Sequence, residues 1–119
     1  MKNEKIIEQL SSLKKYAEEH IISKQEMKDM AIGIKPGIGE IPEFNKIVDI
    51  DNRKYMIIYS IDELSETPIR LASIRCKEGE PNTKDVNTIL FHLGFIKNKD
   101  ECFLTSSKIG TYYYSEKYN

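Results

Sequence analysis

Cysteine and long apolar runs are scarce in this sequence, and each scarcity excludes a class of protein. Secreted domains of this size that depend on disulfides carry more than two cysteines, so we expect Cys76 and Cys102 to be reduced. No apolar run approaches the roughly 20 residues of a membrane span. The charged N-terminus, MKNEKIIEQLSSLKK, lacks the apolar stretch of a secretion signal. These absences predict a soluble, cytoplasmic protein that has no membrane partner.

An excess of one charge sign is also missing. The chain has 18 Lys and Arg against 19 Asp and Glu, and both signs are interspersed along its 119 residues. Nucleic-acid binding requires a clustered basic surface, so this composition disfavours a nucleic-acid partner unless folding gathers the cations. That alternative predicts that six residues share one face: Arg53, Lys54, Arg70, Arg75, Lys77 and Lys108.

The first third of the chain has the pattern of two helices. Residues 4 to 21 carry apolar residues at steps of three and four, which is the period of an amphipathic helix. Ser23 and Glu26 have the spacing of a capping box, and Ile22 and Met27 that of a hydrophobic staple. A second helix should therefore begin at Lys24, direct Met27, Met30 and Ala31 inward, and end near Gly33.

Residues 33 to 44, GIKPGIGEIPEF, contain three glycines and two prolines, a density that neither a helix nor a central strand accepts. We interpret them as an ordered linker. Its apolar residues should lie against the body of the domain: Ile34, Ile38, Ile41 and Phe44.

From residue 46 the chain is rich in β-branched and aromatic residues. The runs KIVDI, YMIIYSI and IRLASIRC predict three strands, with Asp51-Asn52 as the first turn. The short connections favour an antiparallel meander, because parallel strands require long crossovers. Asn82 or Thr83 then caps a helix that Gly94 ends, with Phe95 folded back on Leu90. Its buried stripe is predicted to be Val86, Ile89, Leu90 and Leu93.

The C-terminal ECFLTSSKIGTYYYSE predicts two short strands around a Ser-Ser-Lys turn. The expected fold is therefore α+β, in the order α-α-β-β-β-α-β-β. We expect one domain over residues 1–119, which is too short for two well-buried cores. It comprises a helical hairpin at 4–32, a linker at 33–45, and a sheet with the third helix at 46–116.

The sequence contains partial matches to motifs of phosphate, zinc and nucleophile sites, but each lacks residues or spacing that the site requires. The loop from Gly33 to Gly39 lacks the Lys-Ser or Lys-Thr pair of a phosphate-binding loop, and a helix, not a strand, precedes it. The two cysteines and two histidines lack the paired spacing of a zinc site, and nothing in the sequence brings Cys102 to His92. We therefore predict no cofactor, no metal and no catalytic residue.

An enzymatic alternative stays open. It requires a pocket at the loop from Gly33 to Glu40, walled by the sheet and the N-terminal helices, with Lys35 or Glu40 as the acting group.

The C-terminal tyrosines are the least ordinary feature of the sequence. On a strand, Tyr112 and Tyr114 share one face and Tyr113 takes the other, so at least one ring points away from the core. Exposed tyrosine is enriched at protein interfaces, whereas the alternative is an edge strand whose rings pack on the sheet. We take Tyr112, Tyr113, Tyr114 and Tyr118 as a candidate interface, joined by acidic turn residues. Those residues are Asp49, Asp51, Glu78 and Glu80.

The stretch YMIIYSIDELSETPIRLASIRCKEGEPNTKDVNTILFHLGF resembles the sheet-turn-helix core of small α+β proteins of bacterial and phage genomes that have no assigned function. Small phage-borne proteins of this kind often bind and block a host protein. The resemblance therefore implies a non-enzymatic protein-binding module, acting as a regulator or inhibitor encoded on a mobile element. Pairing of the first helix or of an edge strand with a second copy would make a homodimer.

Overall fold

The structure is a computed structural model that describes residues 2–63, 65–97, 107–108 and 110–118. Within these residues the chain forms three α-helices and an antiparallel sheet, which confirms the predicted α+β class and its order of elements. The helices are α1 (Lys2–Glu19), α2 (Lys24–Ala31) and α3 (Thr83–Leu93), and two 3₁₀ turns cover Ile38–Glu40 and Pro42–Phe44. The strands are β1 (Asn45–Ile50), β2 (Arg53–Asp62), β3 (Ile69–Cys76), β4 (Ser107–Lys108) and β5 (Thr111–Lys117).

The strand order is β1-β2-β3-β5-β4, and every pair is antiparallel. The meander of β1, β2 and β3 is confirmed. Its first turn is Asp51-Asn52, whose φ angles of 48° and 67° lie in the left-handed region that a two-residue hairpin requires.

One face of the sheet forms the core. Tyr55, Ile57, Tyr59 and Ile61 alternate along β2 and are fully buried, because α1 and α3 cover this side. We call it the inner face and the opposite side the outer face. The predicted stripe of α3 is confirmed, since Val86, Ile89, Leu90 and Leu93 are all buried.

The two N-terminal helices differ from their prediction at their ends. Helix α1 ends at Glu19, two residues early. The Ser23–Glu26 capping box is present, with the Glu26 N–H donating to Ser23 Oγ at 3.1 Å. Ala31, predicted to point inward, is exposed. This short helix only touches the margin of the core, through the half-buried Met27 and Met30.

The predicted linker lies against the body for most of its length. Phe44 is buried and Ile38 and Ile41 are half-buried, as expected. Ile34 was expected to pack as well, but it is 68% exposed. Its N–H donates to the carbonyl of Asp29 at 2.8 Å, a bond that terminates α2 and holds Ile34 in the turn beyond the helix.

The turn of the C-terminal hairpin lies after Lys108, later in the chain than the predicted Ser-Ser-Lys turn. Ser107 and Lys108, expected in the turn, form β4 and pair with Tyr112 and Thr111. The reversal lies around Gly110, whose φ of 73° a side chain would disfavour. The predicted first strand of this hairpin, at 101–105, lies outside the described residues, as does Cys102.

A buried tyrosine attaches the start of α3 to the start of β2. Asn82 caps α3, and its own N–H donates to the Tyr55 hydroxyl oxygen at 3.0 Å. The same hydroxyl donates to Asp85 Oδ2 at 2.5 Å, and Arg53 Nη1 lies 3.9 Å from that oxygen. Asp85 is nearly fully buried, so the phenol replaces water as its hydrogen-bond partner.

An arginine holds the other end of α3. Gly94 ends the helix with a φ of 85°, and the Phe95 N–H donates to the Leu90 carbonyl at 2.9 Å, as predicted. Arg70 on β3 donates to the carbonyl of Leu93 at 3.0 Å and to that of Gly94, and it pairs with Glu116 on β5. Both termini of the helix are therefore tied to the sheet.

Replacing Tyr55 with Phe should destabilise the domain by about 1–3 kcal/mol, because Asp85 stays buried without its donor. Urea unfolding followed by circular dichroism measures the change. Tyr16→Phe is the matched control, because the Tyr16 hydroxyl has no hydrogen-bond partner among the described residues. Equal stability of the two variants would show that the Tyr55 hydroxyl contributes nothing.

Alkaline pH should destabilise the wild type more steeply than Tyr55→Phe. Burial, and then the hydrogen bond to Asp85, raise the pKa of Tyr55 far above its ordinary value of about 10. Above about pH 10 the unfolded chain loses this proton while the folded chain keeps it, so stability falls as pH rises. Urea midpoints measured below and above about pH 10 give the pH dependence of stability for wild type and for Tyr55→Phe. An equal pH dependence in the two proteins would show that the Tyr55 hydroxyl does not have a raised pKa.

Candidate functional site

A shallow groove crosses the outer face of the sheet. Its volume is about 340 Å³, and the 3₁₀ turn at Ile38 and Gly39 forms one wall while Tyr113 forms the other. The register explains this arrangement, because Ile58 on β2 and Ser73 on β3 are cross-strand neighbours in the floor and Ser73 in turn faces Tyr113 on β5. Leu71 with Ser60 and Ser115 forms the next row. The groove thus offers aliphatic surface with scattered hydroxyls.

Large apolar side chains beside this groove are open to solvent. The described residues include six exposed large hydrophobic side chains, of which three lie on the outer face. They are Tyr113 (56% exposed), Ile47 (51%) and Met56 (37%). Ile47 and Met56 are register partners and line a second groove, of about 320 Å³, on the other side of the 3₁₀ turn. Exposed apolar side chains therefore lie on both sides of the 3₁₀ turn, a feature that is common at interaction surfaces.

The outer-face residues of β2 were not among the predicted interface residues. Their signal was present in YMIIYSI, where Met56 and Ile58 add apolar residues between the buried Tyr55, Ile57 and Tyr59. A half-exposed antiparallel strand alternates apolar and polar residues, so an apolar run on both faces indicates that the second face has its own contacts.

The tyrosines of the candidate interface do not share one surface. Tyr113 projects on the outer face, whereas Tyr114 is buried on the inner face and Tyr112 is half-buried beside it. The half-buried Tyr118 donates its hydroxyl to Glu18 Oε2 at 3.1 Å, so it fastens the end of β5 to α1. Tyr113 is the member of the group that combines exposure with a groove.

The acidic candidates lie at one end of the sheet, Asp49 near the end of β1 and the other three in the connections between elements. Asp49 and Asp51 are exposed and line a separate depression with Lys5 and Gln9, between α1 and β1. Glu78 and Glu80 are exposed in the connection from β3 to α3. None of these four residues lines the outer-face groove.

The groups required by the enzymatic alternative lie away from the main groove. The 3₁₀ turn of the linker does wall a groove, but the opposite wall is the sheet and not the N-terminal helices. Lys35 Nζ lies 3.9 Å from Glu26 Oε2, and Glu40 lines the second groove with Lys46. The described residues that line the first groove include no acid and base pair. Enzymatic activity therefore stays a hypothesis.

The six cations of the nucleic-acid alternative divide between the two faces. Lys54 and Arg75 lie on the outer face by strand alternation, and Lys77 follows β3 in the same alternation. Arg53 lies near the inner-face Asp85 and Arg70 caps α3, so these two are engaged in the fold. The Lys108 side chain lies outside the described residues.

The remaining candidates bring no further group to the groove. His92 is half-exposed on α3, and Cys76 is a buried free thiol on the inner face. In the described part of the chain, no three His, Cys, Asp or Glu side chains come together as metal ligands. None of the described helices combines the length and apolarity that crossing a membrane requires.

Alanine substitutions of two neighbouring tyrosines should differ in their effect on stability, because the two rings lie on opposite faces of the sheet. Tyr113→Ala should cost less than about 1 kcal/mol, because more than half of the side chain is exposed. Tyr114→Ala should cost about 3 kcal/mol, because it removes a buried ring from the core. Urea unfolding of both variants tests the placement, and equal losses would refute it.

Comparison with known proteins adds no assignment. No protein-family model, no curated protein and no solved structure matches the chain. Its function is therefore inferred from the residues of the outer face and their surroundings.

Proposed function

We propose that this chain is a non-enzymatic protein-binding module that contacts its partner through the outer face of its sheet. The observation that carries the proposal is the exposure of Ile47, Met56 and Tyr113 around an aliphatic groove on an ordered sheet. Burying such side chains in a partner removes apolar area from water, at about 25 cal/mol per Å².

The groove suits recognition better than reaction. Its walls supply aliphatic carbon, a tyrosine ring and serine hydroxyls, which can pack against a partner and accept or donate hydrogen bonds. Tyr113 provides a large contact area with only two side-chain torsions to order, which is why tyrosine is frequent among the energetically dominant residues of interfaces.

The more specific form of the proposal is a regulator or inhibitor of a host protein. It follows from the resemblance to small proteins of bacterial and phage genomes. Binding alone is sufficient for inhibition when it covers the active site or binding site of the partner.

Affinity capture from a bacterial lysate tests the proposal. Tagged wild-type protein is compared with Tyr113→Ser and Met56→Ser by quantitative mass spectrometry. Ile34→Ser is the matched control, because it removes an apolar side chain that is more exposed than either Tyr113 or Met56 and that lines neither groove. We expect at least one protein that wild type and the control retain and that both outer-face variants lose.

Two results would contradict the proposal. One is equal capture of every protein by wild type and both outer-face variants. The other is loss of capture by Ile34→Ser to the same extent, which would indicate nonspecific adhesion of exposed apolar residues. Urea unfolding of each variant confirms that the loss does not arise from unfolding.

A further inference from the structure

Strand β1 forms one edge of the sheet, and half of its backbone groups point away from β2. A two-residue hairpin is closed by a hydrogen-bonded pair, here Ile50 and Arg53, and alternate residues of an antiparallel strand bond to the same neighbour. The N–H and C=O groups of Asn45, Ile47 and Asp49 are therefore directed outward. They have the spacing that a further strand requires.

Little within the described residues covers this edge. The Asn45 N–H donates to the Pro42 carbonyl, and Gln9 Nε2 donates to the Ile47 carbonyl at 3.2 Å. No other described group bonds to the outward groups of Ile47 and Asp49. A carbonyl oxygen has two lone pairs, so Ile47 can still accept a second donor. Proteins protect such edges with prolines or bulges, whereas β1 has no proline and pairs with β2 residue for residue.

We infer that two copies of this chain pair antiparallel along β1, with the two-fold axis at Ile47. The Ile47 N–H of each copy donates to the Ile47 carbonyl of the other, and each Asp49 N–H donates to the Asn45 carbonyl of the other. The exposed Ile47 and Met56, which are register partners, then form one apolar row across the axis. The second copy thereby extends the outer face, whether or not the proposed function holds.

Side-chain chemistry selects this register over its neighbours. The two cores lie on the same side only if the axis passes through a residue of β1, because a shift by one residue exchanges the faces. An axis at Lys46 or at Asp49 places like charges directly opposite each other. An axis at Val48 places Ile47 opposite the Asp49 carboxylate. The axis at Ile47 instead sets isoleucine against isoleucine, and Asp49 against the neutral Asn45.

Sedimentation equilibrium over a range of concentrations tests the pairing. The mass of the wild type should rise from one chain toward two. Ile47→Lys and Ile47→Glu should each associate at least about tenfold more weakly, because like charges then meet at the axis. An equimolar mixture of the two variants should recover association, because opposite charges meet. Ile34→Lys is the matched control, since it changes an exposed isoleucine that lies outside β1, and it should associate like wild type.

Oxidation of introduced cysteines tests the register in a Cys102→Ser background, in which the buried Cys76 is the remaining native thiol. Facing residues of a hydrogen-bonded pair have Cα atoms about 5.5 Å apart, which a disulfide can span. Ile47→Cys should therefore form a cross-linked dimer on a non-reducing gel. Asp49→Cys should not, because the two Asp49 residues lie about 13 Å apart along the paired strands.

A wild type that stays monomeric up to about 1 mM would overturn the inference. So would a mixture of the Lys and Glu variants that does not associate, or a stronger cross-link from Asp49→Cys than from Ile47→Cys. Urea unfolding of each variant shows whether it is folded. Tyr113→Ser should associate like wild type, because β2 and β3 separate β5 from β1. A loss of partner capture by that variant with its association intact separates this inference from the proposed function.

Discussion

The side-chain alternation of β2 is the constraint on which the rest of the structure depends. Tyr55, Ile57, Tyr59 and Ile61 occupy the inner face, and shifting the register by one residue would turn all four toward solvent. Their burial under α1 and α3 fixes which residues the other side presents. Met56 and Ile58 therefore reach the outer face as a consequence of the core, although the core makes no use of them.

Polar contacts then orient α3 on this sheet. The Tyr55 hydroxyl binds both the N-cap residue and Asp85, and Arg70 binds the carbonyls at the opposite end. Apolar packing alone permits a helix to slide along its stripe, whereas hydrogen bonds at both termini specify one position. Along β3, the anchoring residue Arg70 is followed directly by Leu71, which lines the groove, so the contacts to α3 and the groove are on opposite faces of the same strand.

Sequence patterns predicted caps and turns correctly, but they did not predict which residues share a surface. The capping box at Ser23, the turn at Asp51-Asn52 and the helix end at Gly94 were correct, because each depends on a few adjacent residues. The predicted burial of Ala31 and Ile34 was wrong, because it depends on where α2 lies relative to the rest of the domain. The groove required knowing that β5 pairs with β3, which no local pattern encodes. Likewise, Arg53 and Arg70 were grouped with cations of the opposite face, since grouping by residue type ignores strand alternation.

Helix α1 precedes its packing partners in the chain, and this order has a consequence for synthesis on the ribosome. Its apolar stripe of Ile6, Leu10, Leu13 and Ala17 is covered by β1, β2 and α3, which are translated afterwards. At 5–20 residues per second, roughly 4 to 15 s separate the completion of α1 from that of α3. During this interval an amphipathic helix emerges without its partners. The many Lys and Glu residues on its other side then keep the nascent chain in solution until the sheet arrives.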